Sequence, residues 1–139
     1  MSGKPRVILG LMTFAPEGVA TARITSLDEF NKALDTFQDR GYSEVDTARG
    51  YGDGKQEAFS RDANWKERGL SIATKVYPLP PGNHKADVIT KHFETSLKEL
   101  GTDSVDVSGY GFVQPHCCLG VQWSSRRHPV SEGDEDGLY

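Results

Sequence analysis

Cysteine is scarce in this chain, and long apolar runs and glycosylation signals are missing from it altogether. The two cysteines, Cys117 and Cys118, are adjacent, so they do not form the spaced framework of disulfides that staples small secreted domains. No apolar run approaches the ~20 residues that span a bilayer, and residues 1–6 lack the apolar core of a signal peptide. These absences predict a cytoplasmic protein that does not associate with membranes.

An excess of positive charge is also absent, because the net charge is −4 at pH 7. The chain therefore has no electrostatic footprint for nucleic acid or for an acidic membrane surface. His116 lies beside the two cysteines, but that spacing does not match zinc ligands, so no metal site is predicted.

Two common nucleotide-binding motifs are missing as well. The segment Gly-Tyr-Gly-Asp-Gly-Lys at 50–55 is not a phosphate-binding loop, because such a loop would need glycine at Arg49 and Ser or Thr at Gln56. No Gly-x-Gly-x-x-Gly follows a predicted strand, so a Rossmann site is not indicated.

What is present is a repeated alternation of strand and helix patterns. Strands are predicted over 6–11, 42–47, 70–76 and 104–107, and helices over 26–40, 55–65 and 87–100. Ser26 with Glu29 fits a capping box, and Gly41 and Gly101 stand where glycines end helices. Repeated strand-helix units predict an α/β protein with a parallel sheet.

A carboxylate, a phenol and an ammonium stand near the ends of two predicted strands, as Asp46, Tyr51 and Lys75. In a parallel α/β protein these strand ends share one face. Carbonyl reduction needs an acid for the oxygen, and a free phenol, with a pKa of about 10, keeps its proton at pH 7. Lys75 would stabilise the phenolate and Asp46 would keep the lysine charged and oriented. The hydride must come from a reduced nicotinamide cofactor, because no side chain supplies one.

These residues resemble the aldo-keto reductases, and within them the aflatoxin-aldehyde and succinic-semialdehyde reductase branch. The resemblance implies a (β/α)8 TIM barrel that reduces small aldehydes, ketones or dicarbonyls to alcohols with NADPH. It implies that Asp46, Tyr51 and Lys75 are catalytic, with Tyr51 as the proton donor, and that Met12, Thr13 and Asp46 bind the nicotinamide end of the cofactor. The matching segments are 6–14, 23–32, 44–49, 54–57, 65–69, 73–75 and 96–106.

The chain departs from this family pattern in length and at individual residues. Its 139 residues are far fewer than the roughly 250 of a TIM barrel, so a truncated barrel of four strands and three helices is expected. The family's fourth catalytic residue, a histidine, is replaced by Gly111. Gly50 and Gly52 flank Tyr51, which predicts backbone freedom beside the acid.

The resemblance stops abruptly at Ser108. Residues 108–139 show neither helical nor strand periodicity, which predicts a disordered, unrelated tail after an N-terminal reductase half at 1–107. The family's grip on the adenine-side phosphate follows the fourth strand, so weak NADPH binding is expected. Val107 and Ser108 match the codons of a common intron start, which makes a retained intron one hypothesis and a frameshift or a degenerate gene another. The alternative to a reductase is therefore a catalytically inactive truncated fragment, with at most a binding role.

Overall fold

The computed structural model describes residues 5–76 and 85–110, which form a parallel sheet with helical crossovers. The strands are hydrogen-bonded in the order β1-β2-β3-β4, and all the pairings are parallel. This arrangement confirms the predicted α/β class with four strands and three helices. In chain order the elements are β1 (Ile8–Gly10), α1 (Leu27–Asp39), β2 (Glu44–Asp46), a 3-10 turn (Tyr51–Gly54), α2 (Gln56–Asp62), β3 (Ser71–Val76), α3 (Ala86–Leu100) and β4 (Val107–Tyr110).

The fourth strand lies further along the chain than the sequence predicts. β4 pairs with β3 from Val107 opposite Ala73 to Tyr110 opposite Val76, so the predictions of a strand over 104–107 and of coil from Ser108 are wrong. Just before β4, the Asp106 carboxylate accepts a hydrogen bond from the backbone N–H of Ile72 at 3.0 Å, and the Asp106 backbone N–H donates to the Ile72 carbonyl at 3.2 Å. The rest of the predicted tail, 111–139, lies outside the described residues, and the domain boundary at 107 stays a prediction.

The helix ends follow the capping signals in part. Ser26 Oγ accepts a hydrogen bond from the backbone N–H of Glu29 at 3.2 Å, as the capping box predicts. Gly101 ends α3 in the left-handed conformation, with φ 69°. α2 ends at Asp62 and does not reach Trp65, because Asn64 has φ 57°, which an α-helix cannot continue through.

The core lies between the helices and one face of the sheet. Phe30 of α1 packs between Phe14 and Phe59, with ring centroids 4.7 and 5.4 Å apart respectively. Trp65 donates its indole N–H to the carbonyl of Leu100 at 3.0 Å, which fastens the end of α3 to the segment after α2. Within the described residues, no helix combines the length and the apolar character needed to cross a membrane.

Candidate functional site

Asp46 and Lys75 lie on the face of the sheet that is turned away from the buried core. Buried and half-buried positions alternate along β3, and Lys75 is one of the half-buried ones. Asp46 is in register with Gly10 on one side and Ala73 on the other, while Lys75 is in register with Gly109. We call this face the open face. Small residues beside Asp46 and Lys75 leave space next to both charged groups.

The ammonium of Lys75 is held by two oxygen atoms. Its Nζ lies 2.7 Å from Asp46 Oδ2 and donates a second hydrogen bond to the carbonyl of Thr47 at 3.1 Å. The Lys75 and Asp46 side chains are 26% and 27% exposed, so salt screens their attraction less than it screens a fully exposed pair. An ammonium has three N–H groups, and acceptors within residues 5–76 and 85–110 account for two of them.

Tyr51 lies against this lysine. It begins the 3-10 turn after β2, and its backbone N–H donates to the carbonyl of Ala48 at 3.1 Å. Its ring centroid is 4.7 Å from Lys75 Nζ, which is within the range of a cation–π contact. The structure thus brings together all three residues that the sequence predicts as catalytic, Asp46, Tyr51 and Lys75.

The turn after Tyr51 has an unusual backbone. Gly52, Asp53 and Gly54 all have left-handed φ angles, of 57°, 55° and 79°. A Cβ at Gly52 would lie 2.8 Å from the Cβ of Ala15, so only glycine fits there. Gly52 is buried and closely packed, and the predicted backbone freedom beside Tyr51 stays a prediction.

A buried carboxylate lies beneath this turn, and sequence reasoning missed it. Glu57, in the first turn of α2, is fully buried and forms an ion pair with Arg49. It also accepts a hydrogen bond from Thr74 Oγ1 at 2.7 Å, and Arg49 donates to the carbonyl of Gly54. One signal was available in the sequence, because strand alternation buries Thr74 and a buried hydroxyl needs a partner.

A second set of hydrogen-bonded polar side chains lies beside the first, also on the helix side of the sheet. The Thr47 hydroxyl donates to the side-chain carbonyl of Gln56, and Gln56 Nε2 donates to Ser60 Oγ at 2.7 Å. All three residues are fully buried. These bonds fix the backbone of Thr47, whose carbonyl contacts Lys75 on the open face.

A cavity of about 310 Å³ opens on the face that carries Asp46 and Lys75. Met12 and Thr13, predicted at the nicotinamide, lie in the turn after β1 and are not among its lining residues. Met12 is 54% exposed, and the Thr13 carbonyl accepts the backbone N–H of Arg23 at 2.8 Å. The lining residues are Ile8, Gly10, Asp46, Ala73, Thr74, Lys75, Val107 and Gly109.

The remaining residues singled out in the sequence are in the C-terminal segment. Gly111, His116, Cys117 and Cys118 lie outside the described residues. Within 5–76 and 85–110, no three His, Cys, Asp or Glu side chains are grouped so that they could hold a metal ion.

Residues 6–115 match the sequence model of the Aldo/keto reductase family. Among curated proteins, the aflatoxin B1 aldehyde reductase member 2 of Mus musculus is 32% identical over 108 residues, which cover 75% of this chain and 28% of that protein. An aldo-keto reductase of Pseudocercospora fijiensis is 40% identical over 77 residues, 52% of this chain and 26% of that protein. The chain thus spans about a quarter of the length of these relatives.

Solved structures give the same result. The thermostable aldo-keto reductase Tm1743, in complex with the inhibitor epalrestat, superposes with a TM-score of 0.62 at 28% identity, over 84% of this chain and 42% of that one. An aldo/keto reductase from Klebsiella pneumoniae in complex with NADP and acetate has a TM-score of 0.55 at 28% identity, over 73% of this chain and 33% of that one.

Proposed function

Because the chain belongs to the aldo/keto reductase family, we propose that its open face carries the site of an NADPH-dependent reductase of small aldehydes, ketones and dicarbonyls, with Tyr51 as the proton donor. One observation supports this most directly. The Lys75 ammonium is 2.7 Å from the Asp46 carboxylate and 4.7 Å from the Tyr51 ring centroid, so a paired cation lies against the phenol that would donate the proton.

Each residue has a defined part in the proposed reaction. Tyr51 gives the proton of its hydroxyl to the carbonyl oxygen while hydride adds to the carbonyl carbon, which produces the alcohol. The nearby Lys75 ammonium stabilises the phenolate that remains. Asp46 and the Thr47 carbonyl hold that ammonium in a fixed orientation before the reaction begins, so little reorganisation is needed during the proton transfer.

The open face fits the nicotinamide end of a cofactor. Its cavity of about 310 Å³ is lined by Gly10, Ala73 and Gly109, so a flat ring can approach the sheet closely beside Asp46. Met12 and Thr13 lie at the same carboxyl end of the sheet and would complete the binding site. A reduced nicotinamide supplies the hydride when it is bound. Related proteins from Klebsiella pneumoniae were solved with NADP and with NADPH, which supports the choice of cofactor.

A second candidate function rests on Gly111. The resemblance to the family places a catalytic histidine at this position, and glycine has no side chain to replace it. Under this alternative the chain is a catalytically inactive fragment that keeps the reductase fold through β4 and carries an unrelated tail after the segment that matches the family. The scarcity of cysteine is compatible with a cytoplasmic protein under either proposal.

Two proteins measured in parallel distinguish these candidates. One is the full chain, and the other is a chimera in which residues 1–110 are joined to the part of the mouse aflatoxin B1 aldehyde reductase member 2 that follows the matched segment. Each is mixed with NADPH and succinic semialdehyde, and the loss of reduced cofactor is followed by its absorbance. Turnover by the full chain supports the reductase proposal, and turnover by the chimera alone supports the inactive fragment.

The Tyr51→Phe variant of whichever protein is active tests the proton donor. We expect the loss of nearly all turnover, because no hydroxyl would then face the carbonyl oxygen. Tyr42→Phe is the matched control, since Tyr42 stacks on Phe37 of α1 at 5.4 Å between ring centroids. If Tyr51→Phe keeps most of the rate, Tyr51 is not the donor.

A further inference from the structure

We propose that Glu57 is a positioning residue for Tyr51. Its buried carboxylate, through Arg49 and Thr74, fastens the turn that carries Tyr51 to the strand that carries Lys75. The catalytic meaning of this fastening rests on the proposed function, whereas the fastening itself is a property of the folded chain.

The first step concerns the turn. Arg49 stands before Tyr51 and Gly54 ends the turn, and the Arg49 guanidinium donates to the carbonyl of Gly54. This bond closes the loop around Tyr51. The approach is close, because a Cβ added at Gly54 would lie 2.7 Å from Arg49 Nη2. Glycine at position 54 therefore allows the guanidinium to reach the main chain.

The second step concerns the strand. The backbone N–H of Arg49 donates to the carbonyl of Lys75 at 3.0 Å, and Thr74 Oγ1 donates to Glu57 Oε1 at 2.7 Å. Thr74 and Lys75 are neighbours in β3, so their side chains point to opposite faces of the sheet. Glu57 holds this strand from the helix side while Lys75 faces the cavity.

The third step concerns Glu57 itself. One carboxylate oxygen accepts from Thr74 and the other from Arg49, and the side chain is 0% exposed, so no bulk water competes for either bond. The Arg49 side chain is only 16% exposed. A guanidinium that is paired in this way has a fixed orientation, because its donors form a planar fork. The position of the Tyr51 ring near Lys75 therefore depends on a carboxylate on the other side of the sheet.

Fluorine NMR of the full chain labelled with fluorotyrosine tests this proposal without any need for turnover. The Tyr51 resonance is identified by its absence in Tyr51→Phe. In Glu57→Gln we expect it to shift toward its position in the denatured chain, while the Tyr42 resonance stays in place. Glu67→Gln is the matched control, because Glu67 is exposed and the change removes the same charge.

A double variant separates positioning from stability. Glu57→Gln alone leaves the half-buried Arg49 guanidinium without its anion, which destabilises the fold. Arg49→Met combined with Glu57→Gln removes both charges, so we expect the urea midpoint to recover in part while the Tyr51 resonance stays displaced. If Glu57→Gln fails to fold, Arg49→Lys is used instead. A lysine keeps the positive charge but lacks the two separate guanidinium nitrogens that contact Glu57 and the Gly54 carbonyl.

Two results would overturn the proposal. One is a Tyr51 resonance in the Glu57→Gln protein that coincides with that of the unaltered chain. The other is a double variant in which the Tyr51 resonance returns to its native position as the urea midpoint recovers. Absence of turnover in every protein would count against the proposed function alone, because the resonance reports on the position of Tyr51 whether or not the chain reduces a substrate.

Discussion

An ion pair lies at each end of this sheet, and the two pairs differ in their surroundings. At the amino end, Arg6 holds Glu44 with its Nε 2.9 and 3.0 Å from the two carboxylate oxygens, but the Arg6 side chain is 67% exposed. At the carboxyl end, the Lys75–Asp46 pair is 26% and 27% exposed and has a carbonyl and an aromatic ring beside it. The first pair links the segment before β1 to β2, whereas the second orients a cation toward a cavity.

The largest difference between the two ends should appear in catalysis. In the active protein, full chain or chimera, Lys75→Met should remove nearly all NADPH-dependent turnover, because Tyr51 would lose the cation that stabilises its phenolate. Arg6→Met removes the same charge from the amino end and should leave kcat almost unchanged. Steady-state rates with succinic semialdehyde measure both effects. Equal losses in the two variants would show that the pairs do not differ in function.

A smaller difference between the two ends of the sheet should appear in stability when a loop glycine at each end is replaced by alanine. Gly52→Ala forces a left-handed φ on alanine and places its Cβ 2.8 Å from Ala15, so we expect a loss of roughly 2 to 5 kcal/mol. Gly69→Ala, just before β3, has φ 68° but open space around the new Cβ, so about 1 to 2 kcal/mol is expected. Urea unfolding followed by tryptophan fluorescence compares them. Similar midpoints would mean that the turn near Tyr51 yields to the methyl group.

The smallest effect should come from the amino-end pair, and it should depend on pH. The hydrogen bond from Arg6 lowers the pKa of the Glu44 carboxyl below its ordinary value of 4.5. Because the folded-state pKa is lowered, the stabilisation is present above pH 4.5 and is lost as the pH falls through the lowered value. Glu44→Gln should therefore lower the melting temperature slightly at neutral pH and not at all in stronger acid. Thermal melts at several pH values check this, and a difference that grows in acid would contradict it.

The sequence predicted the architecture because each element carries its own signal. The capping serine at position 26 and the glycine at position 101 mark helix ends by local chemistry, and both act as predicted. The start of β4 could not be predicted in this way. At that point the Asp106 carboxylate contacts Ile72, 34 residues earlier, and such a long-range contact leaves no local pattern.

In the candidate site, too, some residues could be predicted from the sequence and others could not. Asp46, Tyr51 and Lys75 were predicted because their chemistry and their places at strand ends point to one face. The residues that support them, Arg49 and Glu57, were not predicted, because Arg and Glu usually lie on the protein surface. Only the fold shows that Glu57 is fully buried and that Arg49 bridges it to a backbone carbonyl.

Two glycines line the cavity from opposite edge strands, and they differ in the space available for a larger side chain. A Cβ at Gly10 would meet no atom within 4 Å, whereas one at Gly109 would lie 3.3 Å from the Cβ of Lys75. A larger residue at position 10 therefore narrows the cavity without disturbing the lysine, and one at position 109 displaces it. If descendants of this sequence diverge in the size of the molecule they accept, position 10 is where that divergence can begin.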